Sequence, residues 1–388
     1  MEERTGRKQK YRRMKKRGVF TILALLLMGY FVITNMNRSE PVSKNVASTE
    51  TEQPKKEQKE EVKEKKAASV KNEKETTIKI SAAGDFTLGT DESFPYQQSF
   101  PHEADKNGLP YFVEHIKDLF ENDDFTTVNL ETTLTNSTQK AAKTFRFKGD
   151  PSYVNILKLG NIEAVNLANN HIFDYLDQGY EDTMKTLDEN DIGYFGYDNE
   201  YITEVKGVKI GALGYEGWDS NVETAKKEVK AGIKRLRKEG AEIVIVHYHW
   251  GIEKSPVPTQ TQQELARYTI DNGADLILGH HPHVVQGIEE YKGKFIVYSL
   301  GNFMFGGNRN PSDKDTFVFQ QTFHLKGGEL TNKKEIQVIP FSISSVASRN
   351  NYQPAPLQGA EASRVKNRII NLSAQITDSN WLVYEGGE

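Results

Sequence analysis

Through residues 77–345, short apolar runs rich in β-branched and aromatic residues alternate with stretches whose apolar positions recur at helical spacing. The first pattern suits a strand, the second a helix with one buried face. Strands are predicted at Thr77–Ala83, Phe125–Leu130, Ala164–Ala168, Val208–Leu213, Ile243–Tyr248, Leu276–Leu278 and Phe295–Ser299. Helices are predicted at Tyr111–Glu121, Pro151–Leu159, Gln178–Asn190, Val222–Glu239 and Gln260–Asn272. Such alternation builds layered α/β folds. Thr316–Leu325 and Glu335–Ser345 follow as consecutive strands with less helix between them, so the sheets are expected to be mixed rather than purely parallel. No fixed repeat period is visible.

The amino-terminal pattern is different. Residues 1–17 are rich in Lys and Arg, and residues 18–36 carry no charge and are mostly apolar. About 20 apolar residues cross the hydrocarbon core as a helix, and a basic flank holds that end in the cytoplasm. A cleaved signal peptide shares this layout, but no A-x-A-like site follows, which favours an uncleaved signal anchor. Residues 37–76 are Glu, Lys, Ser, Thr and Gln without an aromatic side chain, and such a stretch cannot bury enough surface to offset ordering. The expectation is a single-pass cell-membrane protein with a cytoplasmic amino terminus, a disordered tether, and one extracellular domain over residues 77–388.

Composition narrows the chemistry. The chain has no cysteine, which excludes disulfides, thiolate metal sites and a cysteine nucleophile. A net charge of −4 with 27% charged residues gives no reason to expect nucleic acid as a partner. Neither a Walker-type nor a dinucleotide glycine loop is present, and Ser299 does not sit in a G-x-S-x-G elbow.

What remains is a row of polar strand ends: Gly84-Asp85, Asn129-Leu130-Glu131, Asn169-Asn170-His171, His247 to Gly251, and Gly279-His280-His281-Pro282-His283. Ligands of open α/β sheets gather beyond the carboxyl ends of strands, so these five ends can supply one site. Each motif alone has an ordinary structural use, a turn or a helix cap. The histidine triplet is the sharpest signal, because three imidazoles in four residues are costly to pack unless they bind something. Asp85, Glu131, His171, His249, His281 and His283 form an oxygen and nitrogen set suited to Zn, Mn or Fe, as one ion or two. His247 and His280 are left as candidate proton shuttles, with Asn302 at another strand end as a substrate contact. Arg146 and Lys148 could offer two cations to an anionic substrate, although an alternating strand explains them as well. His102, His115 and His324 fall outside the clusters.

In this order, together with Asp174-Tyr175, His249-Trp250-Gly251 and Ser299 to Phe303, the motifs resemble those of the bacterial capsule-synthesis CapA/PgsA family, which is similar in fold to calcineurin-like metallophosphoesterases. The resemblance implies a four-layer α/β/β/α sandwich with a metal centre between its sheets. It adds Asn170 to the ligands, beside His171, and places Glu131 where a bridging carboxylate stands. It also implies an anionic surface polymer such as poly-γ-glutamate as substrate, and membrane synthase or ligase subunits as partners. The activity implied is a metal-dependent hydrolase or transferase, with a non-catalytic polymer-binding or export subunit as the alternative. Two departures stand out: Thr87 occupies the position where the phosphoesterases have a histidine, and Glu131 replaces their Gly-Asp.

Overall fold

The computed structural model describes residues 75–378 and 380–386. The expected anchor and nearly all of the tether lie outside these residues. Among the described residues, no helix is long and apolar enough to cross a membrane.

Two mixed sheets dominate. The first runs Ala355–Pro356, Glu329–Ser342, Asp315–Lys326, Glu75–Thr87, Phe125–Leu130, Ala164–Asn166, Gly193–Phe195, with Asn302–Phe305 paired to the end of Glu75–Thr87. Glu75–Thr87 is the pivot, parallel to Phe125–Leu130 and antiparallel to Asp315–Lys326. The second runs Ile288–Tyr291, Lys294–Val297, Leu276–His280, Ile243–Trp250, Val208–Gly217, Tyr201–Val205, and its four middle strands are parallel. A small sheet of Thr90–Asp91, Phe147–Gly149 and Thr133–Leu134 lies beside them.

Side-chain alternation along the strands assigns the layers. Ile78, Ile80 and Ala82 from the first sheet share one core with Ile210, Ala212, Ile243, Ile245, Leu276 and Leu278 from the second. The opposite faces are covered by helices. Val128, Leu130 and Val165 pack with Phe112, Phe120, Ile156 and Leu187, while Val244, Val246 and Ile277 pack with Val229, Ile233, Leu265 and Ile270. The helix Val222–Lys238 shows why: Ala225, Val229, Gly232, Ile233 and Leu236 are its buried positions, one stripe at helical spacing. Each large aliphatic side chain buried this way contributes about 1.5–3 kcal/mol.

The predicted elements are found, with corrections. The stretch Tyr111–Glu121 is not one helix but a tight turn, Leu109–Val113, and a short helix, Lys117–Glu121. The break lets Phe112, Val113, Ile116 and Phe120 all reach the same core. Most strands extend past their apolar runs into the polar residues, Ile243–Trp250 taking in His247 and His249. The helix Gly359–Ser373, not expected from the pattern, closes the inter-sheet core with Val365, Ile369 and Leu372. It is pinned by Arg364 and Arg368 to Asp315.

Register brings the chemistry to one level. Asn302, Asp85, Asn129 and Asn166 are successive neighbours across the first sheet. Glu216, His249 and His280 are neighbours across the second. Two glycines permit the close backbone approach this needs: a Cβ on Gly84 would lie 2.0 Å from the Gly301 carbonyl oxygen, and one on Gly279 would lie 1.9 Å from that of Tyr298.

Candidate metal centre

Glu131 leaves the end of Phe125–Leu130 and is wholly buried, yet neither of its carboxylate oxygens has a hydrogen-bond partner among the described residues. A buried, unpartnered carboxylate is costly unless an ion or proton compensates it. One ligand atom each from Glu131, His281 and His283 lies within 4.8 Å of the others. Around His249 Nε2 the packing is tighter: Asn170 Oδ1 is at 2.9 Å, His281 Nδ1 at 3.1 Å and Glu131 Oε1 at 3.4 Å. Bonds of about 2.0–2.2 Å to a shared divalent ion put neighbouring ligand atoms about 3 Å apart, so this spacing suits donors on one ion. Four nitrogen and oxygen donors converging this closely could hold a divalent ion.

The second group sits under Asp85. Its Oδ1 accepts from Asn129 Nδ2 at 2.8 Å, and its Oδ2 lies 3.3 Å from His283 Nδ1. His283 Nδ1 is also 2.9 Å from Asn302 Oδ1, and its Nε2 is 3.9 Å from Glu131 Oε1. A histidine that donates from Nδ1 to an oxygen keeps Nε2 as its free lone pair, the usual arrangement of a supported metal ligand. His281 and His283 reach inward because both take positive φ, 97° and 57°, on either side of Pro282.

Charge at the site is unevenly shared. Burial, reinforced by the Asp85 carboxylate, pushes Glu131 well above the usual carboxylate range. Asp85 is also buried, which alone would raise it, but His280 and His283 outweigh this and hold it low. Burial lowers His281 to about 3. His283 moves the other way, to about 9, because Glu131 and Asp85 overcome the cost of its burial. Without an ion, the His283 imidazolium thus balances the Asp85 carboxylate, while burial favours the protonated form of Glu131.

The sequence-predicted residues separate into groups. Asp85, Glu131, Asn170, His249, His281 and His283 come together. His171 stands at the edge: its Nδ1 is 2.6 Å from Asp174 Oδ2 and its ring stacks on Phe147 at 4.1 Å, outside the group formed by Glu131, His281 and His283. His247 and His280 are wholly buried and stacked, with His247 Nδ1 2.9 Å from His280 Nε2 and His280 Nδ1 3.4 Å from Asp85 Oδ1. Asn302, expected to contact substrate, meets His283 with both ends of its amide, Oδ1 against Nδ1 and Nδ2 donating to the carbonyl. Arg146 and Lys148, expected to offer cations to substrate, have partners of their own: Lys148, in the strand Phe147–Gly149, pairs with Glu92 at 2.7 Å, and Arg146, just before it, donates to the Ala141 carbonyl.

Several participants were missed. Asn129 bridges the two groups, donating to Asp85 and lying 3.4 Å from His249 Nδ1, while Asn166 and Asn169 donate to its Oδ1. Lys143 Nζ donates to the Asn170 carbonyl at 2.7 Å and pairs with Asp174, bringing a cation beside the cluster. Trp218 places its ring edge-on to His281 and His249. Asn129 could have been found from its position two residues before Glu131; Lys143 and Trp218 had no signal in the pattern.

The chain is similar to known proteins of capsule synthesis. Residues 79–307 match the family described as bacterial capsule synthesis protein PGA_cap. The chain is 30% identical over 340 residues to the PGA biosynthesis protein CapA of Bacillus subtilis (strain 168), covering 82% of this chain and 83% of the relative. It is 28% identical over 303 residues to the capsule biosynthesis protein CapA of Bacillus anthracis, covering 71% and 70%. A probable polyglutamine synthesis accessory protein of Mycobacterium tuberculosis is 24% identical over 286 residues, covering 66% of this chain and 69% of its own.

Proposed function

The chain belongs to the bacterial capsule synthesis protein family PGA_cap, and from that premise we propose that it is a membrane-anchored, extracytoplasmic, metal-dependent hydrolase or transferase acting on a surface polymer during capsule synthesis. The observation that carries this reading is Glu131, buried with two unpartnered oxygens at the meeting point of His249, His281 and His283. The four-layer sandwich of metallophosphoesterase type is part of the same reading, since helices flank both sheets and the cluster sits at the sheets' shared end.

Asp85, Glu131, Asn170, His249, His281 and His283 would hold one or two divalent ions. A bound ion would supply an activated water and a polarised phosphoryl or acyl oxygen. The protein's own part is to orient and to move protons. Asn129 and Asn302 fix Asp85 and His283. Asp174 holds His171 Nδ1, which leaves Nε2 as the nitrogen able to give or take a proton beside the cluster. Lys143 offsets negative charge close to Glu131. Residues 18–36 would anchor the chain and residues 37–76 would tether the domain outside, within reach of membrane synthase or ligase subunits. Poly-γ-glutamate is the polymer the family resemblance suggests.

Thr87, where a histidine ligand would stand in the phosphoesterases, favours a second reading: a non-catalytic polymer-binding or export subunit. Metal analysis of the purified full chain, with a model phosphodiester assay, separates the two. Stoichiometric metal and turnover that vanish together in an Asp85→Ala, His281→Ala double variant support the enzyme. Polymer binding that is indifferent to the double substitution, with no turnover in either protein, supports the subunit.

A further inference from the structure

Beside the metal cluster lies a hollow of about 280 Å³ lined by Trp218, Asp219 and Ser220 from one strand end, Gly251 and Ile252 from the next, and Thr259. It starts one ring away from the proposed ligands. The Trp218 ring meets His281 edge-on at 4.7 Å and His249 at 5.8 Å, so whatever rests there is held against the reacting centre. The strands that carry His249 and Glu216 also carry the two loops that form it.

The lining has a definite chemistry. It offers an indole, the Ile252 side chain at 60% exposure, two hydroxyls and one carboxylate, and it contains no Lys or Arg. Gly251, at φ 81°, turns the chain sharply under the hollow, where a Cβ would lie 2.5 Å from Gln262 Oε1. A γ-glutamyl unit would bring its carboxylate against Asp219 with no cation among the lining residues to receive it. Arg146 and Lys148 are engaged elsewhere, with the Ala141 carbonyl and Glu92. An ammonium group would satisfy Asp219 but leave the Ile252 edge and both hydroxyls unused. A sugar ring uses all of them: its C–H face packs on indole and aliphatic surface, and its hydroxyls donate to a carboxylate and exchange hydrogen bonds with Ser220 and Thr259. The volume is at the small end for ligand sites, suited to one ring.

We propose that this hollow is the subsite for an uncharged pyranose, so that one side of the bond processed at the cluster is a glycan unit. The proposal rests on the reading of the cluster as a metal-dependent site on a surface polymer, but its binding step does not depend on the metal.

Trp250 and Trp381 are 0% and 1% exposed, whereas Trp218 is half-buried, so a ligand-dependent change in tryptophan emission reports on Trp218. The full chain is titrated with N-acetylglucosamine, a γ-linked glutamate trimer and lysine. A saturable change is expected with the sugar alone. In saturation-transfer NMR the sugar signal is expected to be lost in Trp218→Ala and reduced in Asp219→Asn, and retained in Glu131→Gln. Retention in Glu131→Gln keeps the subsite separate from the cluster chemistry, so either can fail alone. Saturation by the glutamate trimer or by lysine instead, no response to any probe, or an unchanged sugar signal in Trp218→Ala would overturn the proposal.

Discussion

His280 Nδ1 lies 3.4 Å from Asp85 Oδ1, and both side chains are wholly buried. The contact is long for a hydrogen bond. It nevertheless orders a chain of protons. With the neutral tautomer that turns an Nδ1 proton toward Asp85, His280 Nε2 accepts from His247 Nδ1 at 2.9 Å. His247 Nε2 is then an acceptor for Thr127 Oγ1 at 3.3 Å. Asp85 is thus held by a line of side chains crossing from one sheet to the other and back.

Replacing His280 by Gln should therefore weaken divalent-metal binding by about 10–100-fold, the usual cost of losing an outer partner of a ligand. Calorimetric metal titration checks this, with circular dichroism as the control for folding. Thr127→Val should show a smaller loss in the same direction, and Thr127→Ser should restore it. Wild-type affinity in His280→Gln would remove this residue from the support of Asp85.

Asn302→Ala frees His283 at both its ring nitrogen and its carbonyl. The expected result is weaker metal binding together with about 1–3 kcal/mol less stability from lost buried hydrogen bonds. Denaturant unfolding and metal titration measure the two parts. A raised KM with wild-type metal affinity would instead return Asn302 to a direct contact with substrate.

Metal removal should be visible in the melting temperature. A divalent ion held by the folded site and not by the unfolded chain adds to stability, so the chelated protein should melt lower than the metal-loaded one. Glu131→Gln should abolish that metal-dependent shift while leaving the chelated form no less stable than the chelated wild type, because burial already favours the neutral form of Glu131 and Gln is neutral and of similar size. Scanning calorimetry with and without chelator provides the comparison. A shift that survives in Glu131→Gln would place the ion elsewhere.

Asp123, remote from the cluster, sets a pH dependence of its own. Burial and the neighbouring Asp124 charge push it up to about 6, while Thr126 Oγ1 donates to its Oδ2 at 2.6 Å. A carboxyl with a raised folded pKa binds its proton more tightly in the folded state. Its contribution is present below the unfolded value of about 4 and is lost as pH rises through about 6. Asp123→Asn should flatten the fall in stability over that interval, relative to wild type, in denaturant titrations at pH 4, 5, 6 and 7. Parallel curves for the two proteins would show that the proton is held elsewhere.

Legibility differed from residue to residue. Phe125–Leu130 was readable to its ends because its apolar run is bounded by polar residues on both sides. Glu75–Thr87 was read short, since Gly84 and Asp85 are poor strand formers and the pairing of Asp85, Phe86 and Thr87 with Asn302–Phe305 is not visible locally. Asn302 and Asp85 were both singled out, but their meeting through His283 needed residues more than two hundred positions apart to be brought together. Lys148 looked free because sequence shows a charge and not its partner, and Glu92 lies 56 positions away.

The sequence by itself determined the layered α/β class, the apolar segment at the amino terminus as an expectation, and which strand ends carry ligand-type side chains, because hydrophobic period and residue chemistry are local properties. Only the tertiary structure decided which of those groups share a point in space, which of them stand behind as supports, and that Trp218 walls a hollow next to them. Those outcomes depend on register across two sheets and on backbone turns at His281 and His283, and both are set by packing between distant segments.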